Sequence, residues 1–289
     1  MSLIDEIDHL KEVIDDELNR IFVNKTGYQE KIFQAMKYSL FTGGKRIRPI
    51  LLLKSCEMIS GSYDEAIPFA LALEMIHTYS LIHDDLPSMD DDDFRRGKPT
   101  NHKIFGEAIA ILSGDGLLNL AYEIMIENTI LFSKNREDYY KFLLASKEIS
   151  KASGIDGMIG GQVVDILSDS ESIDSLELEF MYRCKTAALI EAAVVSGGII
   201  GGANEIEIDN LRKYGRCIGL GYQIRDDILD IDEDRAINKT TYLSFNSLET
   251  AKEKVEYLSK EAKLSLEIFK DNNITFLEEI AYYLINRNK

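Results

Sequence analysis

The chain has 289 residues, 45% of them hydrophobic, enough for a substantial core and for either one large domain or two ordinary ones. Its 50 acidic residues outnumber 33 basic ones, a formal charge of −17 that argues against nucleic acid and anionic membrane surfaces as partners. Three widely spaced cysteines (Cys56, Cys184 and Cys217) make neither a disulfide framework nor a metal motif, which points to a reducing, cytoplasmic setting.

The pattern is helical almost throughout. In residues 3–21, Ile7, Leu10, Ile14, Leu18 and Ile21 recur at spacings of three and four, one apolar face of a helix. Similar patterns predict helices over 29–41, 49–60, 64–84, 106–132, 137–153, 174–200, 206–230, 248–268 and 275–286. No segment alternates with period two between hairpin turns, so strands are not expected. The Gly-Gly steps at 43–44, 160–161, 197–198 and 201–202 mark helix ends or close helix crossings. The four prolines all precede residue 100 and no linker interrupts the chain. The expected fold is therefore all-α, one domain over residues 1–289 with about ten helices, large enough for a central helix buried on every side. The most apolar run, Ala187 to Ala203, is broken by Glu191 and four glycines and falls short of a membrane span. The N-terminus shows no basic-then-apolar signal pattern.

Two aspartate clusters stand at the ends of apolar helical stretches: Asp84-Asp85 running on through Asp90 to Asp93, and Asp226-Asp227 with Asp230. Carboxylates this close repel one another unless a cation or proton neutralises them. A donor set of oxygens without His or Cys favours a hard cation, and a few carboxylates plus substrate phosphates is a common Mg²⁺ arrangement. Gln223, Asp226, Asp227 and Asp230 fall at i, i+3, i+4 and i+7, a polar stripe on an otherwise apolar helix. His77, Ser80 and Asp84 share a face, and Pro87 then ends the regular helix, so Asp90 has to return through an irregular turn. Against the acidic background two basic islands stand out, Gly43-Gly44-Lys45-Arg46-Ile47-Arg48-Pro49 and Arg95-Arg96-Gly97-Lys98, candidates for a metal-free anion site. The absence of a glycine-rich nucleotide loop disfavours phosphoryl transfer. Cleavage of a C–O bond, with a whole diphosphate leaving a carbocation in an apolar, water-free pocket, suits the pattern better.

These residues resemble the trans-prenyl diphosphate synthases, most closely the bacterial farnesyl diphosphate (geranyltransferase) type. The resemblance spans the chain and rests on GGKRIRP (43–49), HTYSLIHDDLPSMDDDDFRRGKPTNH (77–102), GGQVVD (160–165), KTAALIEAA (185–193), GYQIRDDILD (221–230) and KTTY (239–242). It implies an all-α homodimer with a deep central cavity. It implies that Asp84, Asp90 and Asp226 ligate Mg²⁺, with Asp85, Asp227 and Asp230 in support. Lys45, Arg48, His77 and Arg96 would bind isopentenyl diphosphate. Arg95, Lys185 and Lys239 would bind the allylic diphosphate, with Arg225 a further candidate. Thr186 and Gln223 would turn oxygen dipoles toward the carbocation. Tyr79, about 7.5 Å along the helix from Asp84 at 1.5 Å per residue, and Ser80 would set chain length, implying a C15 product. The alternatives are a C20 geranylgeranyl diphosphate synthase and a catalytically silent subunit of a heteromeric synthase. A terpene cyclase would not need the second diphosphate site. The segment Ile231–Asn238, about half the length usual in the family, departs from the pattern, as does Leu243 in place of a proline.

Overall fold

A computed structural model describes residues 2–168, 172–236 and 239–286. The chain divides into two compact units, Met1–Ile50 with Glu65–Phe142, and Leu51–Asp64 with Leu143–Lys289.

The first unit is built on helices α1 (Leu3–Ile21), α2 (Glu30–Leu40), α4 (Ile67–Asp84) and α6 (Glu107–Phe132). Ser2 caps α1 with a reciprocal Ser2–Asp5 pair, and Ile7, Leu10, Ile14 and Leu18 are buried as their spacing requires. α4 is buried on every side from Phe69 to Ile76, the central helix expected of a large core. It packs along α6, and its Phe69 stacks on Phe142, beyond the end of α6, at 5.6 Å. α4 ends at Asp84, three residues before Pro87. Beyond it a two-residue hairpin, β1 (Phe94–Arg95) and β2 (Lys98–Pro99), turns through Arg96 and Gly97, both at positive φ. This sheet was not expected, since two residues per strand leave no period to read. The short helix α5 (Asn101–Phe105) follows it.

α3 (Ile47–Ser60) and α7 (Arg136–Ser153) have residues in both units. The second unit is organised on α11 (Glu205–Leu229), which packs on α10 (Ala188–Gly201), α14 (Leu248–Leu266) and α15 (Thr275–Ile285). Asn204 and Glu207 cap α11 reciprocally, and Gly202, at φ 92°, ends α10 in the left-handed conformation. α10 crosses the Leu51–Ser60 part of α3 so closely that a Cβ on Gly197 would lie 2.2 Å from the Leu52 carbonyl oxygen, the close crossing its glycines forecast.

α8 (Met158–Ser168) lies outside the predicted helices, in the stretch where Gly160-Gly161 left a helix end and a close crossing both open. A Cβ on Gly161 would meet the Lys185 backbone nitrogen at 2.4 Å, so the glycine admits a neighbour instead of ending the helix. α9 (Ser175–Met181) runs into α10 through a π-helical stretch, Tyr182–Ala187. The segment read as a short loop holds a helix, α12 (Ile231–Ala236), with 237–238 outside the described residues. α13 (Tyr242–Phe245) completes the unit. By length and composition Glu107–Phe132 and Ser175–Gly201 could each cross a membrane, contrary to the run-by-run reading, since Ser175–Gly201 is one continuous helix. The apolar stretch of Ser175–Gly201 is two-thirds buried (67%), as in a core helix; that of Glu107–Phe132 is one-third buried (33%).

Candidate active site

In the first unit the glycine pair precedes a strap that holds three basic residues differently. Arg46, at φ 52°, is buried and donates to Asp15 on α1 (2.8 Å) and Glu74 on α4 (2.6 Å). Its role is to fix the strap, and Lys45 and Arg48 flank it. Arg48 Nη1 lies 3.3 Å from His77 Nε2. A guanidinium can only donate, so Nε2 accepts and the His77 proton sits on Nδ1. Burial, then the positive fields of Arg48, Arg96, Arg46 and Arg95, hold the His77 pKa well below its ordinary 6.5. The imidazole is neutral among four cations, an environment suited to an anion. Arg96 joins this group by donating to the Gly43 carbonyl, its guanidinium 2.6 Å from where a Gly44 Cβ would stand. Glycine is required there twice over, by its φ of 131° and by the arginine.

The acidic turn begins about two turns further along α4. The Asp90 amide donates to the Asp84 carbonyl (2.9 Å) and the Asp91 amide to that of Leu86 (3.1 Å), so the chain doubles back after Pro87 and brings Asp90 to Asp84. Asp84 is half-buried and Asp90 exposed. Asp85 is only 3% exposed and accepts from Arg95 Nε at 2.6 Å. Burial raises its pKa and the guanidinium opposes the rise. Arg95 also lies 3.4 Å from Asp92. Tyr79 is 6% exposed, its ring set edge-on to His83 at 5.7 Å, and among the described residues its buried hydroxyl has no hydrogen-bond partner. Burial raises its pKa to about 12. Ser80 donates to the His77 carbonyl, 2.8 Å.

In the second unit three of the predicted residues, Thr186, Gln223 and Asp227, form a connected network. Thr186 Oγ1 donates to Gln223 Oε1 (2.8 Å), and Gln223 Nε2 donates to Asp227 Oδ1 (3.2 Å). Asp227 Oδ2 accepts from the Tyr182 hydroxyl (2.5 Å) and the Tyr242 amide (2.9 Å). At 4% exposure Asp227 has its pKa raised by burial against those donors. Lys185 donates to Asp165 on α8 (2.5 Å). Lys239 is exposed, 3.9 Å from Asp234, and its amide donates to the Asp234 carbonyl. Asp226 is half-buried and Asp230, at the end of α11, exposed. The sequence reading passed over Tyr182 and Tyr242. The available signal was a tyrosine three residues before Lys185 and another closing KTTY.

The carboxylates of Asp84, Asp90 and Asp226 are the donor chemistry Mg²⁺ takes. Among the described residues no three His, Cys, Asp or Glu side chains converge into a ready-made metal cage.

Residues 29–258 match the family model Polyprenyl synthetase. The chain is 45% identical over 269 residues to a chloroplastic geranylgeranyl pyrophosphate synthase of Capsicum annuum, covering 89% of this chain and 72% of that one. It is 43% identical to a geranylgeranyl diphosphate synthase of Cyanophora paradoxa, covering 96% and 94%. The crystal structure of an FPP/GFPP synthase from Zymomonas mobilis superposes with a TM-score of 0.87 at 35% identity, covering 98% of this chain and 100% of that one.

Proposed function

The chain belongs to the polyprenyl synthetase family of trans-prenyl diphosphate synthases, and from that premise we propose that it condenses isopentenyl diphosphate head to tail with dimethylallyl or geranyl diphosphate, ending at C15 farnesyl diphosphate. The observation that carries this reading is Arg48 Nη1 set 3.3 Å from His77 Nε2, with Arg96 tied to the Gly43 carbonyl, a basic group suited to a metal-free anion beside the helix that ends at Asp84. A diphosphate that binds without metal and one that binds through it need these two kinds of wall.

Lys45, Arg48, His77 and Arg96 hold the diphosphate of isopentenyl diphosphate. Asp84, Asp90 and Asp226 are the Mg²⁺ ligands. Mg²⁺ held there would neutralise the allylic diphosphate and stabilise the negative charge that develops on the leaving group. Lys185, Lys239 and Arg95 supply cations to the same group. The allylic C–O bond breaks, the isopentenyl double bond attacks the carbocation, and the released diphosphate takes the proton, so no protein base is needed. Thr186 donates its proton to Gln223, which leaves its lone pairs for the cation, and Asp227 orients the Gln223 amide.

Tyr79 supports the C15 end point, since a bulky buried ring about one and a half turns back along α4 from Asp84 would limit chain growth there. The relatives named geranylgeranyl synthase favour C20 as a second reading. The protein acts as a homodimer. α6 supports this by leaving Leu112, Ile126, Ile130, Leu131 and Phe132 more than half exposed, an apolar surface suited to a second copy. Three buried free cysteines fit the cytoplasmic setting we assign.

Labelled isopentenyl diphosphate with each allylic starter, in Mg²⁺ and then EDTA, tests the reading by product size. A Mg²⁺-dependent C15 product is expected. A C20 product would overturn the Tyr79 floor, and no product would overturn the activity.

A further inference from the structure

We propose that Tyr182 is a positioning residue for the allylic substrate, its hydroxyl joining the π-helical turn that bears Lys185 and Thr186 to α11 and to residues 239–242. The inference rests on the prenyl-transfer reading for the identity of that substrate. The geometry stands on its own.

Three side chains of the π-helical stretch reach three different anchors. Tyr182 donates to Asp227, Lys185 to Asp165 and Thr186 to Gln223. A π-helical turn widens the backbone by one residue and tends to mark functional sites, and here each side chain it displaces is tied down. Tyr182 is buried, and among the described residues it is the one side chain outside α11 that hydrogen-bonds to Asp227. Its oxygen also accepts from the Tyr242 amide (3.1 Å), which donates to Asp227 as well (2.9 Å). A single hydroxyl thus closes a triangle between the π-helical turn, α11 and the start of α13. The same carboxylate receives the Gln223 amide and so orients its oxygen toward Thr186. Removing the hydroxyl leaves Asp227 Oδ2 with the Tyr242 amide alone and releases the turn from the Lys239–Tyr242 segment. None of the isopentenyl ligands proposed above belongs to this network.

Tyr182→Phe keeps the ring and removes the hydroxyl. We expect the KM for the allylic diphosphate to rise about tenfold, the order expected for one hydrogen bond to a charged group, with the KM for isopentenyl diphosphate within about twofold. Amide hydrogen exchange should quicken in residues 183–187 and 239–245 and stay unchanged in 67–84. Unchanged exchange in both segments would overturn the anchoring. Equal shifts in both KM values, with faster exchange everywhere, would make Tyr182 an ordinary core residue and overturn the positioning role. The exchange readout needs no turnover, so an inactive wild type would overturn the prenyl-transfer reading separately from the anchoring.

Discussion

Asp85 and Asp227 are each the second aspartate of a pair, one in each unit, and each is almost fully buried with a pKa raised by burial. They are satisfied in different ways. Asp85 accepts a hydrogen bond from the charged Arg95, whereas among the described residues the hydrogen bonds to Asp227 come from neutral donors, a tyrosine hydroxyl, a backbone amide and a glutamine, and the charge of Lys239 is the smallest of the influences on it. The first aspartates, Asp84 and Asp226, are half-buried in both units. A repeated Asp-Asp pattern therefore divides the labour. The buried member fixes local structure and the more open member is placed for a ligand, which the letters of the motif do not distinguish.

The largest test of that division is Asp84→Ala or Asp226→Ala. Each should lower turnover by on the order of 10²–10³, since one preorganised electrostatic contact is worth about 3–4 kcal/mol. Near-normal steady-state turnover in either variant would break the comparison at its functional end. Next come Asp85→Ala and Asp227→Ala, each orphaning buried donors at a cost of roughly 1–3 kcal/mol in urea unfolding. High salt should narrow the Asp85→Ala deficit, because an ion pair with a partly exposed arginine is screened, and leave the Asp227→Ala deficit unchanged. Equal salt responses would remove the distinction between charged and neutral satisfaction. Lys45→Ala should raise the KM for isopentenyl diphosphate and spare the allylic one, while Tyr79→Ala should lengthen the product. An allylic-only effect in the first, or an unchanged C15 product in the second, would reassign those residues.

The smallest effect concerns pH. The folded pKa of His77 lies well below its ordinary 6.5, so its contribution to stability is complete above 6.5 and is lost as pH falls toward the folded value. The stability gap between wild type and His77→Asn, read from urea midpoints, should therefore narrow from pH 7.5 to pH 5.5. A gap that widens would mean the imidazole is charged in the folded protein.

Much of this was legible in the sequence, for physical reasons. Long helices announce themselves by apolar period, so α1 begins and ends where Ile7 to Ile21 place it. The return of Asp90 to Asp84 follows from Pro87. What escaped depended on partners distant in sequence. Nothing in GGKRIRP separates Arg46 from Lys45 and Arg48. Its burial is decided by Asp15 and Glu74, and the one available signal was Glu74, the sole charge between Ile67 and Ile76. The π-helical turn was equally hidden, since one extra residue in a helix leaves no compositional mark. At Gly161 the sequence left a helix end and a close crossing open, because in one dimension a glycine that admits a neighbour looks like one that ends a helix; the structure shows the close approach.

The most direct test of the division of labour is a Mg²⁺ titration of turnover in Asp226→Ala and Asp227→Asn beside the wild type. The account predicts that Asp226→Ala needs far more Mg²⁺ for half-maximal rate, while Asp227→Asn keeps the wild-type Mg²⁺ dependence and shows a raised allylic KM. A shifted Mg²⁺ requirement in Asp227→Asn, with an unshifted one in Asp226→Ala, would contradict it.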